Sequence, residues 1–179
     1  MMIRLLISGG PGSGCTTAAK ALGERLGIPA VDSDTYFHKP TDPPFQEQYT
    51  LEERRALLRP VLDPERSWIL SGSVATWGLH ALAPTHGVFL NTPKAIRLQR
   101  LLDRQRAQFG FRIDPGGDLQ EEHDAFLEWA AGYEERVGAG RNLATDRAFV
   151  ESQSARFVEV DGEETLDEIV ARIGEFVKA

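Results

Sequence analysis

The stretch Gly9-Gly10-Pro11-Gly12-Ser13-Gly14-Cys15-Thr16-Thr17 has the residue types and spacing to hold a phosphate group. Glycines let successive backbone N–H groups turn toward one anion. A helix starting directly behind such a loop adds unpaired donors and partial positive charge. On this reading Gly9, Pro11, Gly12, Ser13, Gly14, Cys15, Thr16 and Thr17 bind nucleotide phosphates, and the Thr16 hydroxyl stands where Mg²⁺ would be coordinated. The phosphate-loop pattern is G-x-x-x-x-G-K-[ST], and its lysine position holds Cys15. That lysine reaches the β- and γ-phosphates, so its loss weakens a claim of phosphoryl transfer more than a claim of binding. A thiol at a helix N-terminus also admits a lowered pKa and redox-sensitive binding. A small residue filling the lysine's place is the simpler reading.

Phosphoryl transfer further needs acids for a metal and an acceptor, and cations around the transferring group. A parallel sheet gathers ligands at the carboxyl ends of its strands. Two of those ends, Leu70-Ser71-Gly72-Ser73 and Asn91, offer no acid, whereas Asp32 and Asp34 do. In an extended chain two such residues point the same way. Asp32 is assigned to the metal or its waters, and Asp34 to the acceptor as base or anchor. The plainer alternative is that one of them caps a turn before Thr35. Tyr36, Phe37, His38, Lys39 and Phe45 follow close to Asp34. Arg54, Arg55 and Arg59 come next and either grip an anionic acceptor or balance Glu52 and Glu53.

The basic residues divide into 16 Arg and 4 Lys, and none of Lys20, Lys39, Lys94 and Lys178 occupies the loop position. If the chain transfers phosphate, an arginine, or Lys39, must therefore supply the missing cation. Arg97, Arg100 and Arg104 share a helical face. Arg136 and Arg141 approach from the other side of the chain. Many such arginines form solvated faces, with Asp103, Glu121 and Glu122 as expected partners. His38, His80, His86 and His123 are scattered without a zinc-ligand pattern.

These residues need a scaffold. Short apolar runs at Ile3–Ser8, Pro29–Val31, Trp68–Ser71, Val88–Asn91 and Arg156–Val160 read as buried strands. Amphipathic stretches between them read as helices over Gly14–Leu26, Leu51–Leu62, Leu119–Val137 and Thr165–Lys178. A further helix follows Thr92-Pro93, with Thr92 as its cap. Phe126, Trp129, Ala130 and Tyr133 are expected to share one face of the Leu119–Val137 helix, and Thr165 with Glu168 makes a capping box. Trp68 and Trp77 are expected in the core. Thr35–Thr50 reads as a long functional loop and Gly110–Gly117 as a flexible tip. The alternation predicts an α/β fold of three α/β/α layers around a five-stranded, mostly parallel sheet.

The chain has 179 residues, a formal charge of −7 and one cysteine. That length suits one domain, residues 1–179. The acidic balance disfavours nucleic-acid polymers and anionic membranes as partners. A short apolar N-terminus, no long apolar run and a lone cysteine fit a cytoplasmic location.

The Gly9–Thr17 loop resembles that of adenylate kinases and the wider nucleoside-monophosphate kinase and shikimate kinase group. It is closest to archaeal-type cytidylate kinases, whose loop has threonine at the lysine position followed by two more threonines. Asp32-Ser33-Asp34 is similar to the Asp-x-Asp of shikimate kinases. Thr92-Pro93 with its Arg-rich helix looks like their pre-lid helix, and Val158–Gly162 like their adenine-side loop. The resemblance implies a P-loop fold with a small helical lid at about 104–141, and an acceptor-side loop at about 35–66. It implies ATP and Mg²⁺ as cofactors and a small-molecule or nucleotide acceptor, contacted near Ser71-Gly72-Ser73. It also implies lid arginines, Arg104 and Arg141, in catalysis. The resulting expectation is a kinase that transfers the γ-phosphoryl group of ATP; the alternative is a regulatory protein that binds nucleotide without turnover.

Overall fold

Consecutive apolar residues buried on both sides make the central strand. In β1 (Arg4–Gly9), Leu5, Leu6 and Ile7 have no exposed surface. Side chains of a strand alternate between faces, so Leu5 and Ile7 enter one core and Leu6 the other. The computed structural model describes residues 2–42, 46–79 and 82–179. The other strands are β2 (Ala30–Asp32), β3 (Trp68–Ser71), β4 (His86–Asn91) and β5 (Arg156–Asp161). All pairings are parallel, in the order β2-β3-β1-β4-β5. The helices are α1 (Cys15–Leu26), α2 (Leu51–Leu58), α3 (Lys94–Phe109), α4 (Gln120–Ala131), α5 (Leu143–Gln153) and α6 (Leu166–Lys178). One core joins Ala18 and Leu22 of α1 to Ile169, Ile173 and Val177 of α6. The other joins Leu58 of α2 and Val150 of α5 to Leu6, Trp68, Leu70 and Trp77. The three-layer α/β arrangement is the expected one, with Trp68 and Trp77 buried as expected.

Several boundaries differ for physical reasons. α2 ends at Leu58 rather than Leu62, because Pro60 cannot donate the next helical bond. It starts with a Thr50–Glu53 capping box, matching the one found at Thr165–Glu168. Thr92 does not cap α3; its buried hydroxyl donates to the Ser13 carbonyl at 3.2 Å. The Gly110–Gly117 tip begins with a 3-10 turn over Gly110–Ile113, and Ile113 is buried. The Leu119–Val137 helix stops at Ala131. Trp129 lies outside its buried face, while Ala130 and Tyr133 are buried. α5 lies between the expected Leu119–Val137 helix and the Arg156–Val160 strand, where the apolar periodicity predicts no element. Its buried residues are Asp146 and Val150, so a carboxylate interrupts the apolar stripe that would have revealed it. Within Thr35–Thr50, a 3-10 turn over Ser33–Tyr36 leads to an antiparallel bridge between His38 and Gln48. Phe45 and His80 lie outside the described residues. Among the described residues, no helix is long and apolar enough to cross a membrane.

Candidate functional site

Sheet register places the site. Asp32 pairs with Ser71, Ser71 with Ile7, and Gly9 with Leu90, so β2 and β3 end together and β1 and β4 run about two residues further along the same edge of the sheet. The Gly9–Thr17 loop leaves β1 there and enters α1. Gly12 and Gly14 have φ of +83° and +100°, a region other residues avoid. A side chain on Gly12 would also strike the Arg97 carbonyl at 2.4 Å. Gly14 starts α1 without a side-chain cap, which leaves the first-turn donors for another partner.

Arginines hold the loop from outside. The Arg97 side chain is 1% exposed and donates from Nη1 to the Pro11 carbonyl at 2.8 Å. It also pairs with Glu134 and lies 5.2 Å from the Tyr133 ring centroid. Arg100 donates to the carbonyls of Ser13 and Gly162, each at 3.1 Å, tying the loop to the turn after β5. In a trans peptide C=O and the next N–H point oppositely. Fixing the Pro11 and Ser13 carbonyls toward these arginines therefore aims the Gly12 and Gly14 amides away from them. An uncapped helix start, glycines that admit no Cβ and oriented amides fit an anionic phosphate chain.

Cys15 is buried against this loop, 3.1 Å from the Ser13 hydroxyl. Burial pushes its thiol up to about 11, so it is neutral near pH 7 and the reactive-thiolate reading is corrected. Beside it lies a group that the spacing of residues did not reveal. Asp146 at the start of α5 accepts from the Ser73 hydroxyl at 2.5 Å and the Tyr133 hydroxyl at 2.9 Å. Arg141 Nε is 3.5 Å from Asp146 Oδ2, and Arg141 Nη2 donates to the Gly9 carbonyl at 3.3 Å. Burial raises the Asp146 pKa, while Arg141 opposes that rise. The same Arg141 acts electrostatically on Cys15.

Thr16 and Asp32 come together: burial raises the Asp32 pKa, and the Thr16 side chain lies near enough to the carboxylate to oppose that rise. Asp32 also caps the following turn by accepting from the Asp34 amide at 3.0 Å, so the two acids are not in one extended run. Asp34 is exposed and faces His38, whose pKa burial lowers. Ser71 donates to the Val31 carbonyl at 3.3 Å and Ser73 to Asp146, so both hydroxyls are engaged within the protein. Lys39 sits between Glu47 and Glu53 at 3.8 and 3.9 Å. The Arg54 guanidinium stacks 4.0 Å from the Phe37 ring centroid and 5.2 Å from that of Trp77. Arg55 donates to the Trp77 carbonyl at 2.6 Å, while Glu53 serves the Thr50 cap. Arg104 is exposed on α3, a turn beyond Arg100. Arg97, Arg106 and Arg112 pair with Glu134, Asp114 and Asp118 rather than with Asp103, Glu121 and Glu122.

Residues 5–110, more than half of the chain, match the family described as AAA domain. The uncharacterized protein YqaC of Bacillus subtilis (strain 168) is 30% identical over 174 residues, covering 97% of this chain and 96% of that one. Among solved structures, a shikimate kinase from Bacteroides thetaiotaomicron aligns over the full length of both chains (TM-score 0.59, 23% identity). A sugar kinase from Janibacter sp. HTCC2649 aligns over 99% of this chain and 95% of its own (0.53, 16%). A shikimate kinase from Aquifex aeolicus aligns over 98% and 96% (0.52, 17%). At these identities the structures establish the fold alone, a P-loop kinase-like architecture. The match over residues 5–110 places this chain in the AAA domain family.

Proposed function

We propose that this chain binds Mg-ATP in the Gly9–Thr17 loop and phosphorylates a nucleotide or other small hydroxyl compound. The observation that carries this reading is the pairing of an uncapped helix start with Thr16 placed beside Asp32. The residues Gly9, Pro11, Gly12, Ser13, Gly14, Cys15, Thr16 and Thr17 would surround the phosphates, with loop amides as donors. Thr16 and Asp32 would hold Mg²⁺ or its waters. Bound Mg-ATP supplies the transferable γ-phosphoryl group. Asp34, exposed at the acceptor side, would take the acceptor's hydroxyl proton. Arg141, and Arg104 from a lid at about 104–141, would neutralise charge where the loop lacks a lysine. Residues 35–66 would receive the acceptor within a single 1–179 domain. The loop's likeness to archaeal-type cytidylate kinases, which also lack the lysine, and the cytoplasmic location belong to the same reading.

The neutral, buried Cys15 favours a second reading, nucleotide binding without turnover. One experiment separates them: ADP release measured against nucleoside monophosphates and small hydroxyl compounds. Acceptor-dependent release supports the kinase. Its absence across a broad panel, with Mg-ATP bound, supports the binding protein. Asp34→Asn should bind Mg-ATP as the wild type does and lose turnover; loss of binding refutes the assigned role.

A further inference from the structure

We infer that Asp146 is a positioning residue: it holds Arg141 as the resident cation beside Cys15, in place of the missing loop lysine. This inference rests on the Mg-ATP reading above and adds to it a residue outside the phosphate loop and the lid.

Three observations carry it. First, Arg141 is the cation found at this point. Its Nη2 donates to the first carbonyl of the loop, Gly9, at 3.3 Å, and its charge reaches Cys15. Second, Arg141 keeps free donors there, although its guanidinium also lies 5.7 Å from the Trp129 ring centroid. Nε is 3.5 Å from Asp146 Oδ2, an ion pair without hydrogen-bond geometry. A guanidinium carries five N–H donors, so Arg141 keeps donors for an anion. Third, Asp146 is firmly held: its side chain has no exposed surface, with the Ser73 and Tyr133 hydroxyls donating to its two oxygens. Those hydroxyls come from the end of β3 and the turn after α4, so the carboxylate is fixed by two separate elements. Tyr133 packs on Gly10 as well, where a Cβ would meet its ring at 2.9 Å. The charged and titratable groups facing Asp146 are Arg141, Tyr133 and Cys15. A buried carboxylate beside a phosphate site costs binding unless it acts through a cation. Its burial here makes sense as an anchor for Arg141.

The two roles of Asp146 differ in sign. As a bare negative charge, its removal in Asp146→Asn would tighten binding of a polyanion. As the anchor of Arg141, its removal would weaken it. The experiment is calorimetry of Mg-ATP and of AMP, which lacks the β- and γ-phosphates, on the full chain. Wild type, Asp146→Asn, Arg141→Ala, Cys15→Lys and the Asp146→Asn/Cys15→Lys pair are compared, each after its melting curve. We expect Arg141→Ala to lose about 10- to 100-fold in Mg-ATP affinity and Asp146→Asn about fivefold or more. AMP affinity should hold in both. Cys15→Lys should restore most of the Asp146→Asn loss, which it could not do for a merely structural defect.

Unchanged or tighter Mg-ATP binding by Asp146→Asn overturns the inference and leaves the proposed function standing. So does equal loss for ATP and AMP, or failure of a folded Cys15→Lys pair to restore binding. Should Cys15→Lys not fold, the Asp146→Asn/Arg141→Ala pair decides. Losses no worse than Arg141→Ala alone support the anchor, and fully additive losses overturn it. A wild-type chain that binds no Mg-ATP overturns the proposed function itself, and this inference with it.

Discussion

Arg97 offers the sharpest test of how the loop is held. Its side chain is 1% exposed, while that of its partner Glu134 is 28% exposed. Arg97→Ala removes the ion pair with Glu134, the bond to the Pro11 carbonyl and the stacking on Tyr133. Breaking a buried ion pair by removing one partner costs about 3–5 kcal/mol. Partial exposure of Glu134 lets water recover some of that, which sets the expectation near the lower figure. The freed carbonyl adds about 1 kcal/mol. For a chain of this size, about 4 kcal/mol lowers the melting temperature by roughly 8–16 °C. Scanning calorimetry reads the shift directly. Arg97→Met/Glu134→Gln fills similar volume without stranding a charge, and should recover at least half of the loss. A melting temperature for Arg97→Ala within about 2 °C of wild type would refute the claim that this buried pair braces the loop.

Gly12→Ala should melt several degrees lower and lose Mg-ATP binding altogether, because the new Cβ meets the Arg97 carbonyl at a φ of +83°; paired melting and titration curves check this. Thr16→Val should lower Mg-ATP affinity about tenfold and make it nearly independent of Mg²⁺, as read by titration with and without chelator. Stability should also fall on mild acidification. Burial, with a smaller contribution from Arg156, holds the His86 pKa below its ordinary value, and burial does the same at His38. The unfolded chain therefore binds these protons more readily. Their contribution is full above the ordinary histidine pKa and is lost as pH falls from there through the folded values. Melting temperatures between pH 7.5 and 5.5 should decline, and His86→Leu should show a shallower decline.

The legible parts of this chain are those where local chemistry and global structure agree. Strand, glycines and helix start coincide in Gly9–Thr17, and the alternating apolar runs reproduce five parallel strands. The nearness of Thr16 and Asp32 was readable because a parallel sheet, rather than side-chain detail, brings the ends of its strands to one edge. What stayed hidden depends on tertiary contact. Thr92 looks like a helix cap, yet its hydroxyl serves the loop 79 residues away. Asp146 interrupts the buried stripe that it shares with Val150, so no apolar period announces that helix. The Asn142 cap, which accepts from the Thr145 amide at 2.9 Å, was the available signal for that helix. Arg97, Arg100 and Arg104 share spacing, but only contact shows that the first two brace the loop while Arg104 stays exposed.

Titrating ATP into the wild-type chain with Mg²⁺ in a calorimeter tests the central claim most directly. The account predicts saturable one-to-one binding, with a Kd between about 1 μM and 1 mM, that weakens when Mg²⁺ is removed. No heat of binding at millimolar ATP, from a chain that melts cooperatively, would contradict it.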